Sequence, residues 1–390
     1  MQKGFWNKLR SPIVGLSPMD GVTDAPMRFI AKKYGQADVI YTEFVSADGM
    51  WRLHKRGEMD HKIWKDLIYS EIERPVIAQI FGSDPEAFYE SAKIICDLGF
   101  DGIDINMGCP SPGLEKRGGG AGLIRDKCNA QEVIAATRRG VEEWKKTHKL
   151  KTTMIQDIEM PVSVKTRIGS AEPDESWWKF LAEQQLPVVA MHGRTFKQLY
   201  KGEADWKLLL KAGEIIRESG AKFLGNGDVK EIKNSETQNN KVETQWGVVL
   251  KSGLELDLGG KMDGVLIGKE SLGNPWILRK DGFTPTIKEK LEVMVEHAYK
   301  FEEIFRELKT PRIQEPKNSR HQELESSKTQ KIEGKYLIKN SFQFFPMRKH
   351  LASYAKGFEG SVSLRKRLMS AEGAEQVEAL VVDFLSSEAV

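Results

Sequence analysis

The chain has 390 residues, of which 40% are hydrophobic, and a formal charge of +3, so it can bury a full core and is neither fibrous, nor disordered overall, nor basic enough to point to nucleic acid by net charge alone. Its first residues, MQKGFWNKLRSPIVGL, lack a signal-peptide core, and no run reaches the ~18 apolar residues of a membrane span, so no membrane association and a cytoplasmic location are expected. Three cysteines, Cys96, Cys109 and Cys128, cannot form a disulfide framework and show no CxxC or CxxH spacing, so no metal is expected.

In chain order, eight short runs rich in β-branched residues close on turn residues: 13–18, 39–44, 75–82, 102–108, 161–169, 187–193, 222–228 and 263–268. Several are nearly continuous apolar runs, as strands covered on both faces should be. Helical patterns lie between them at 23–35, 83–99, 129–146, 175–185 and 205–220. In the clearest, Ser83 or Asp84 is the N-cap, Pro85 opens the first turn and Gly99 ends the helix. Eight βα units in one stretch predict an α/β fold of the (β/α)8 TIM-barrel type, since a doubly wound sheet usually stops at five or six strands. Residues 1–284 form the expected barrel, with a polar insertion at about 233–261. Residues 285–390 form an expected all-helical domain, with a charged insertion at about 310–334.

The active site of such a barrel lies at the C-terminal ends of its strands, so the strand endings are the candidates. They are Pro18-Met19-Asp20, Glu43, Gln79, Asn106 with Cys109, Lys165 with Arg167, His192 with Arg194, Asn226-Gly227-Asp228, and Gly268-Lys269. The loops after the last two strands commonly grip a phosphate in these barrels, and GNGD and IGK offer backbone N–H groups and an ammonium there. Lys165, His192 and Gln79 offer donors to a flat ligand rich in carbonyls and ring nitrogens, although Lys165 could equally sit in an ion pair with Glu43 or Asp104. Cys109 is the one cysteine at a strand's catalytic end, and an ordinary thiol is protonated at neutral pH and can act as an acid. Lys331 to Arg367 carries nine Lys or Arg against two Glu, a localised basic stretch.

Taken together, SPMDGVTDAPMRFIAKKYG, INMGCPSPGLEKRGGGAGLI, VSVKTRIG, MHGRTFKQLYKGEADW, GNGDV and GVLIGKESLGNPWIL resemble the tRNA-dihydrouridine synthases, and FPMRKHLASYAKGFEG resembles that family's RNA-binding domain. The resemblance implies an FMN enzyme, reduced by NADPH, that passes hydride to C6 of a tRNA uracil while Cys109 protonates C5. It implies that Pro18, Met19, Asp20, Gln79, Lys165, His192, Asn226, Gly227, Asp228, Gly268 and Lys269 hold FMN. Asn106 would bind the uracil, with Arg167 and Arg194 also on the substrate side. The partners are then tRNA and NADPH, and the enzyme a monomer. Lys269 departs from the Arg usual in the family, exchanging a bidentate fork for a point charge. Two other readings remain open: an FMN barrel acting on a small pyrimidine, and a catalytically silent tRNA-binding protein.

Overall fold

The computed structural model describes residues 3–149, 159–235, 245–306 and 342–387. Its strands are β1 (Ile13–Leu16), β2 (Val39–Tyr41), β3 (Val45–Ser46), β4 (Val76–Phe81), β5 (Gly102–Met107), β6 (Val162–Arg167), β7 (Val188–His192), β8 (Lys222–Asn226), β9 (Val229–Ser235), β10 (Gln245–Leu250), β11 (Glu255–Asp257) and β12 (Gly264–Ile267). Eight of them pair in parallel in the order β2-β1-β12-β8-β7-β6-β5-β4, and the β2–β4 pairing closes the barrel. These eight correspond to the eight runs expected from the sequence. Short β3 extends the pairing beside β4.

The strands are apolar on both sides because both sides are covered. Outward residues such as Val14, Ile103, Ile105, Val164 and Val189 pack against the surrounding helices in the main core. Inward residues Ile13, Val39, Tyr41, Ile77, Val188, Ala190, Leu224 and Leu266 fill the barrel, and Trp6, from the segment before β1, packs into the same cluster. One further step of two along a strand reaches the mouth on the same inward face, and there the residue type changes. Ile77 is followed by Gln79, Ala190 by His192, and Leu224 by Asn226.

The helices are α1 (Ala25–Gly35), α2 (Ala47–Arg56), α3 (Pro85–Asp97), α4 (Pro112–Glu115), α5 (Lys127–Lys149), α6 (Glu175–Glu183), α7 (Trp206–Glu218), α8 (Ile287–Arg306), α9 (Arg348–Tyr354), α10 (Ser361–Leu368) and α11 (Ala374–Ser387). The sequence leaves the N-cap of α3 open between two residues; Asp84 fills it, accepting the Glu86 N–H at 3.0 Å. Helices α8 to α11 share a second apolar core into which α1 inserts Ile30 and the segment after β12 inserts Trp276. The helical tail is thus docked on the barrel, with Lys33 of α1 also paired to Glu296 of α8 at 2.6 Å.

The polar insertion expected from about 233 to 261 needs revision. Of its described residues, 233–235, 245–250 and 255–257 belong to a three-stranded antiparallel sheet, β11-β10-β9, that starts earlier, at Val229. Trp246, Val248 and Leu250 alternate along β10 and are buried in the main core with Ile232 and Leu258, so the sheet stands where a helix would ordinarily cover β8. The charged 310–334 segment lies outside the described residues, as does the 331–341 part of the basic stretch.

Candidate active site

A chain of amide and carboxylate hydrogen bonds climbs the inner wall of the mouth. Ser163 Oγ donates to Asp104 Oδ1 at 2.6 Å, Gln79 Nε2 donates to Asp104 Oδ2 at 2.7 Å, and Asn106 Nδ2 donates to Gln79 Oε1 at 2.9 Å. Because Asp104 is a pure acceptor when ionised, it fixes which end of the Gln79 amide faces Asn106, and that in turn fixes Asn106. Burial pushes the Asp104 carboxyl up to about 6, against the pull of the Ser163 and Gln79 hydrogen bonds and of Lys165, so it is largely ionised at neutral pH. Asn106 Oδ1 is left to accept the backbone N–H groups of Gly108 at 3.0 Å and Cys109 at 2.8 Å. Asn106 therefore clamps the turn that carries Cys109, and its amide carries a second N–H besides the one given to Gln79.

The glycines after Cys109 serve close packing. Gly120 has φ +56°, and a Cβ there would lie 2.9 Å from Leu114 and 3.2 Å from the Cys109 carbonyl oxygen. At Gly119 a Cβ would lie 2.6 Å from Leu114. The loop folds back beneath Cys109, and the Ala121 N–H reaches the Cys109 carbonyl at 3.3 Å. The Cys109 side chain is partly exposed, and burial together with the nearby Asp20 raises its thiol above the usual value, so it is protonated at neutral pH. Of the other thiols, Cys96 is buried in α3 and Cys128 is exposed.

Lys165 and His192 complete the mouth. No hydrogen bond or ion pair reaches Lys165 Nζ among the described residues, so the ion pair with Glu43 or Asp104 that the sequence allows does not form. Glu43 is itself buried, and burial followed by the repulsion of Asp66 pushes its carboxyl up to about 8. Burial, reinforced by Arg167, brings the Lys165 ammonium down to about 8. His192 Nδ1 accepts the Arg194 N–H at 3.2 Å, which leaves the proton of the neutral ring on Nε2. The ring stays neutral because burial and the positive charges of Arg167 and Lys165 hold its pKa well below the ordinary value.

The phosphate-side candidates are brought together as well. Gly227 has φ +120°, and a Cβ there would meet Ala204 at 2.8 Å and His192 Nε2 at 3.4 Å. A Cβ on Gly268 would lie 3.3 Å from Met19 Sδ, so the turn after β1, which holds Pro18, Met19 and Asp20, faces the turn after β12. The Thr23 hydroxyl fixes that first turn by accepting the Met19 N–H at 3.0 Å. Asn226 Nδ2 donates to the Leu266 carbonyl at 2.7 Å. Lys269 Nζ stands 3.9 Å from the centre of the Tyr200 ring.

Three charged candidates are held by the protein itself. Arg194 Nη2 donates to Asp228 Oδ2 at 2.6 Å, and the same oxygen accepts the Ala204 N–H at 2.7 Å. Arg167 donates from Nε to the Gly108 carbonyl at 2.8 Å and from Nη1 to the carbonyls of Thr195 and Leu199 at 3.0 and 2.9 Å. It braces the Cys109 turn against the loop carrying Tyr200. Tyr200, 58% exposed at the rim, is the site residue that sequence reasoning passed over, and Asp104, expected only as an ion-pair partner of Lys165, stands instead at the foot of the hydrogen-bond chain. A step of two back from Asn106 would have indicated Asp104; Tyr200 gives no signal beyond its place in a strand-end loop.

A family model described as dihydrouridine synthase matches residues 15–389. The chain is 30% identical over 388 residues to a probable tRNA-dihydrouridine synthase of Staphylococcus aureus, with 98% of this chain and 96% of the relative covered. It is 28% identical over 388 residues to a probable tRNA-dihydrouridine synthase 2 of Bacillus subtilis, with 98% and 97% covered. Among solved structures, morphinone reductase superposes with a TM-score of 0.40 at 12% identity, covering 71% of this chain and 87% of that one.

Proposed function

The chain belongs to the dihydrouridine synthase family, enzymes that reduce uridine in tRNA, and from that premise we propose that it uses FMN in the barrel mouth, NADPH as reductant and Cys109 as proton donor. The observation that carries this reading is the Cys109 thiol. It is protonated at neutral pH, clamped by Asn106, and shares one mouth with the unpartnered Lys165 ammonium and the free Nε2–H of His192.

The residues present fit a flavin mononucleotide. Lys165 and His192 would hold the electron-rich edge of the ring, and Gln79 has a second amide N–H to offer it. Gly227 and Gly268 let backbone approach closely, Pro18 and Met19 line the facing turn, and Lys269 is the cation at hand for the phosphate. Asn226 ties β8 to β12, and Asp228, paired with Arg194, holds the turn beside Gly227. Bound FMN, once reduced by NADPH, supplies the hydride that C6 of the uracil receives. Cys109 Sγ gives its proton to C5, so the C5=C6 bond gains one hydride and one proton, and the thiolate recovers its proton from solvent. Asn106 meets the base with its remaining amide N–H while holding the Cys109 turn.

The base must leave its stack, which costs a few kcal/mol and is cheapest where a loop already exposes it, so recognition rests on RNA shape and phosphates. Exposed Lys356 and Lys366, with the 69% exposed Phe345, place charge and an aromatic surface on the tail. Lys356→Glu with Lys366→Glu is expected to weaken tRNA binding while flavin content stays unchanged. The slope of log K against log salt should fall by about one for each phosphate that no longer meets a lysine. Unchanged affinity and slope would remove these lysines from the RNA surface. The decisive test of the function is nucleotide-resolution mapping of dihydrouridine in tRNA from cells with and without the gene. At least one position is expected to revert to uridine; identical maps would refute the reading.

A further inference from the structure

Where the tail meets the barrel, three side chains from separate elements converge. Asp24 caps the N-terminus of α1, His297 lies on α8 and His350 on α9, all three buried and both histidines fully so. Asp24 Oδ1 accepts the Met27 N–H at 3.0 Å, which leaves Oδ2 facing His350 Nε2 at 3.7 Å. The two imidazole rings are 4.7 Å apart. His297 Nδ1 is 3.3 Å from the Tyr354 hydroxyl, while His297 Nε2 and both ring nitrogens of His350 have no hydrogen-bond partner within 3.5 Å among the described residues. One ligand atom from each residue lies within 4.8 Å of the others.

Buried polar nitrogens are nearly always bonded, so three orphans in one place call for a missing partner. A proton alone does not supply it. Even if the 3.7 Å gap between Asp24 Oδ2 and His350 Nε2 closed to a hydrogen bond, His297 Nε2 and His350 Nδ1 would still be bare. A single divalent cation would engage Oδ2 and one nitrogen of each ring at once. Two imidazoles and a carboxylate are a donor set that zinc-class ions favour, with water as a fourth ligand. Tyr354, by accepting from His297 Nδ1–H, would turn the Nε2 lone pair toward the ion. Tetrahedral zinc holds its ligand atoms roughly 3.4 Å apart, so on binding the widest separation in the cluster has to close by up to about 1.4 Å. The surroundings are mixed in charge: Glu43, pushed up to about 8, is largely neutral near pH 7, and Lys349 puts a positive charge near Asp24 and His297. Glu43 feels both Asp24 and Asp66, Asp66 feels Asp20, and the nearby Arg28 is already paired with Glu73 at 2.7 Å.

We propose that Asp24, His297 and His350 bind one divalent transition-metal ion of the zinc class, which pins the helical tail to the barrel. Two of the ligands come from the tail and one from the turn that follows Pro18-Met19-Asp20, so the ion holds the tail in register with the mouth. The site depends on neither flavin nor tRNA and is tested without them.

Full-length protein without a histidine tag, stripped with a chelator, is titrated with Zn2+, and separately with Co2+ as a spectroscopic probe. Uptake of one equivalent is expected, with the melting temperature raised by roughly 4 °C at a hundredfold excess over Kd, and visible absorption of a tetrahedral Co2+ site. Asp24→Asn, which still caps α1, is expected to weaken uptake at least tenfold, and His297→Gln and His350→Gln to abolish it. The exposed pair His54→Gln and His61→Gln should bind as wild type does. A melting temperature unmoved by either metal overturns the proposal, and so does uptake that Asp24→Asn leaves unchanged.

Discussion

Cys109→Ala is expected to bind flavin and oxidise NADPH as the wild-type enzyme does, while forming dihydrouridine about 10² to 10⁴ times more slowly, the range a positioned general acid contributes. The division follows from the hydrogen bonds around the turn. Asn106 grips the backbone N–H groups of Gly108 and Cys109, and Arg167 grips the Gly108 carbonyl, so removing Sγ leaves the mouth in place and subtracts only the proton. Single-turnover mixing of pre-reduced enzyme with tRNA separates the two halves of the reaction. Wild-type product formation from the alanine enzyme would take Cys109 out of the chemistry.

The same assignment fixes the sign of the pH dependence. An acid works in its protonated form, so the contribution of Cys109 is fully present below the pKa of its thiol and is lost as pH rises through it. Burial and Asp20 raise that pKa above the usual thiol value, so product formation by the wild type should hold its plateau past the point where an ordinary thiol ionises. The alanine enzyme should lack that alkaline limb.

The barrel was legible because its strands are covered on both faces and end on turn residues; each of the eight runs is a strand. The polar mouth was legible for a related reason: a step of two beyond an apolar interior residue lands on Gln79, His192 or Asn226. What stayed hidden depends on partners far apart in the chain. Arg194 and Asp228 are 34 residues apart, and nothing in either strand end announces that they neutralise each other. The sheet after β8 was obscured by the polar residues around 236–244, although the alternation of Trp246, Val248 and Leu250 was present in the sequence. Helix α2 went unread because it is only ten residues long and the Ala47, Met50, Trp51 and Leu53 that it packs against the main core are set among charged residues.

Lys165→Met should move flavin affinity and stability in opposite directions, a combination that a purely structural lysine cannot produce. Burial has brought the Lys165 ammonium down to about 8, helped by Arg167 and opposed by Asp104 and Cys109, so near neutral pH the protein holds a charge that its own groups do not pair. Replacing it with an apolar chain of similar length removes that cost, and the flavin-free protein is expected to melt no lower than wild type, or a few degrees higher. The same change deletes a charged donor to the ring, and hydrogen bonds to charged groups are worth about 1.5 to 3 kcal/mol, so the flavin Kd should rise roughly 10- to 150-fold. The pH dependence gives a third sign. The wild-type ammonium is present below about 8 and is lost as pH rises through that value, so flavin affinity of the flavin-free enzyme should decline above pH 8, whereas the methionine variant should lack this decline. Flavin titrations and melting curves at two pH values on both proteins decide the matter. A variant that melts lower and binds flavin as before would make Lys165 a support of the fold.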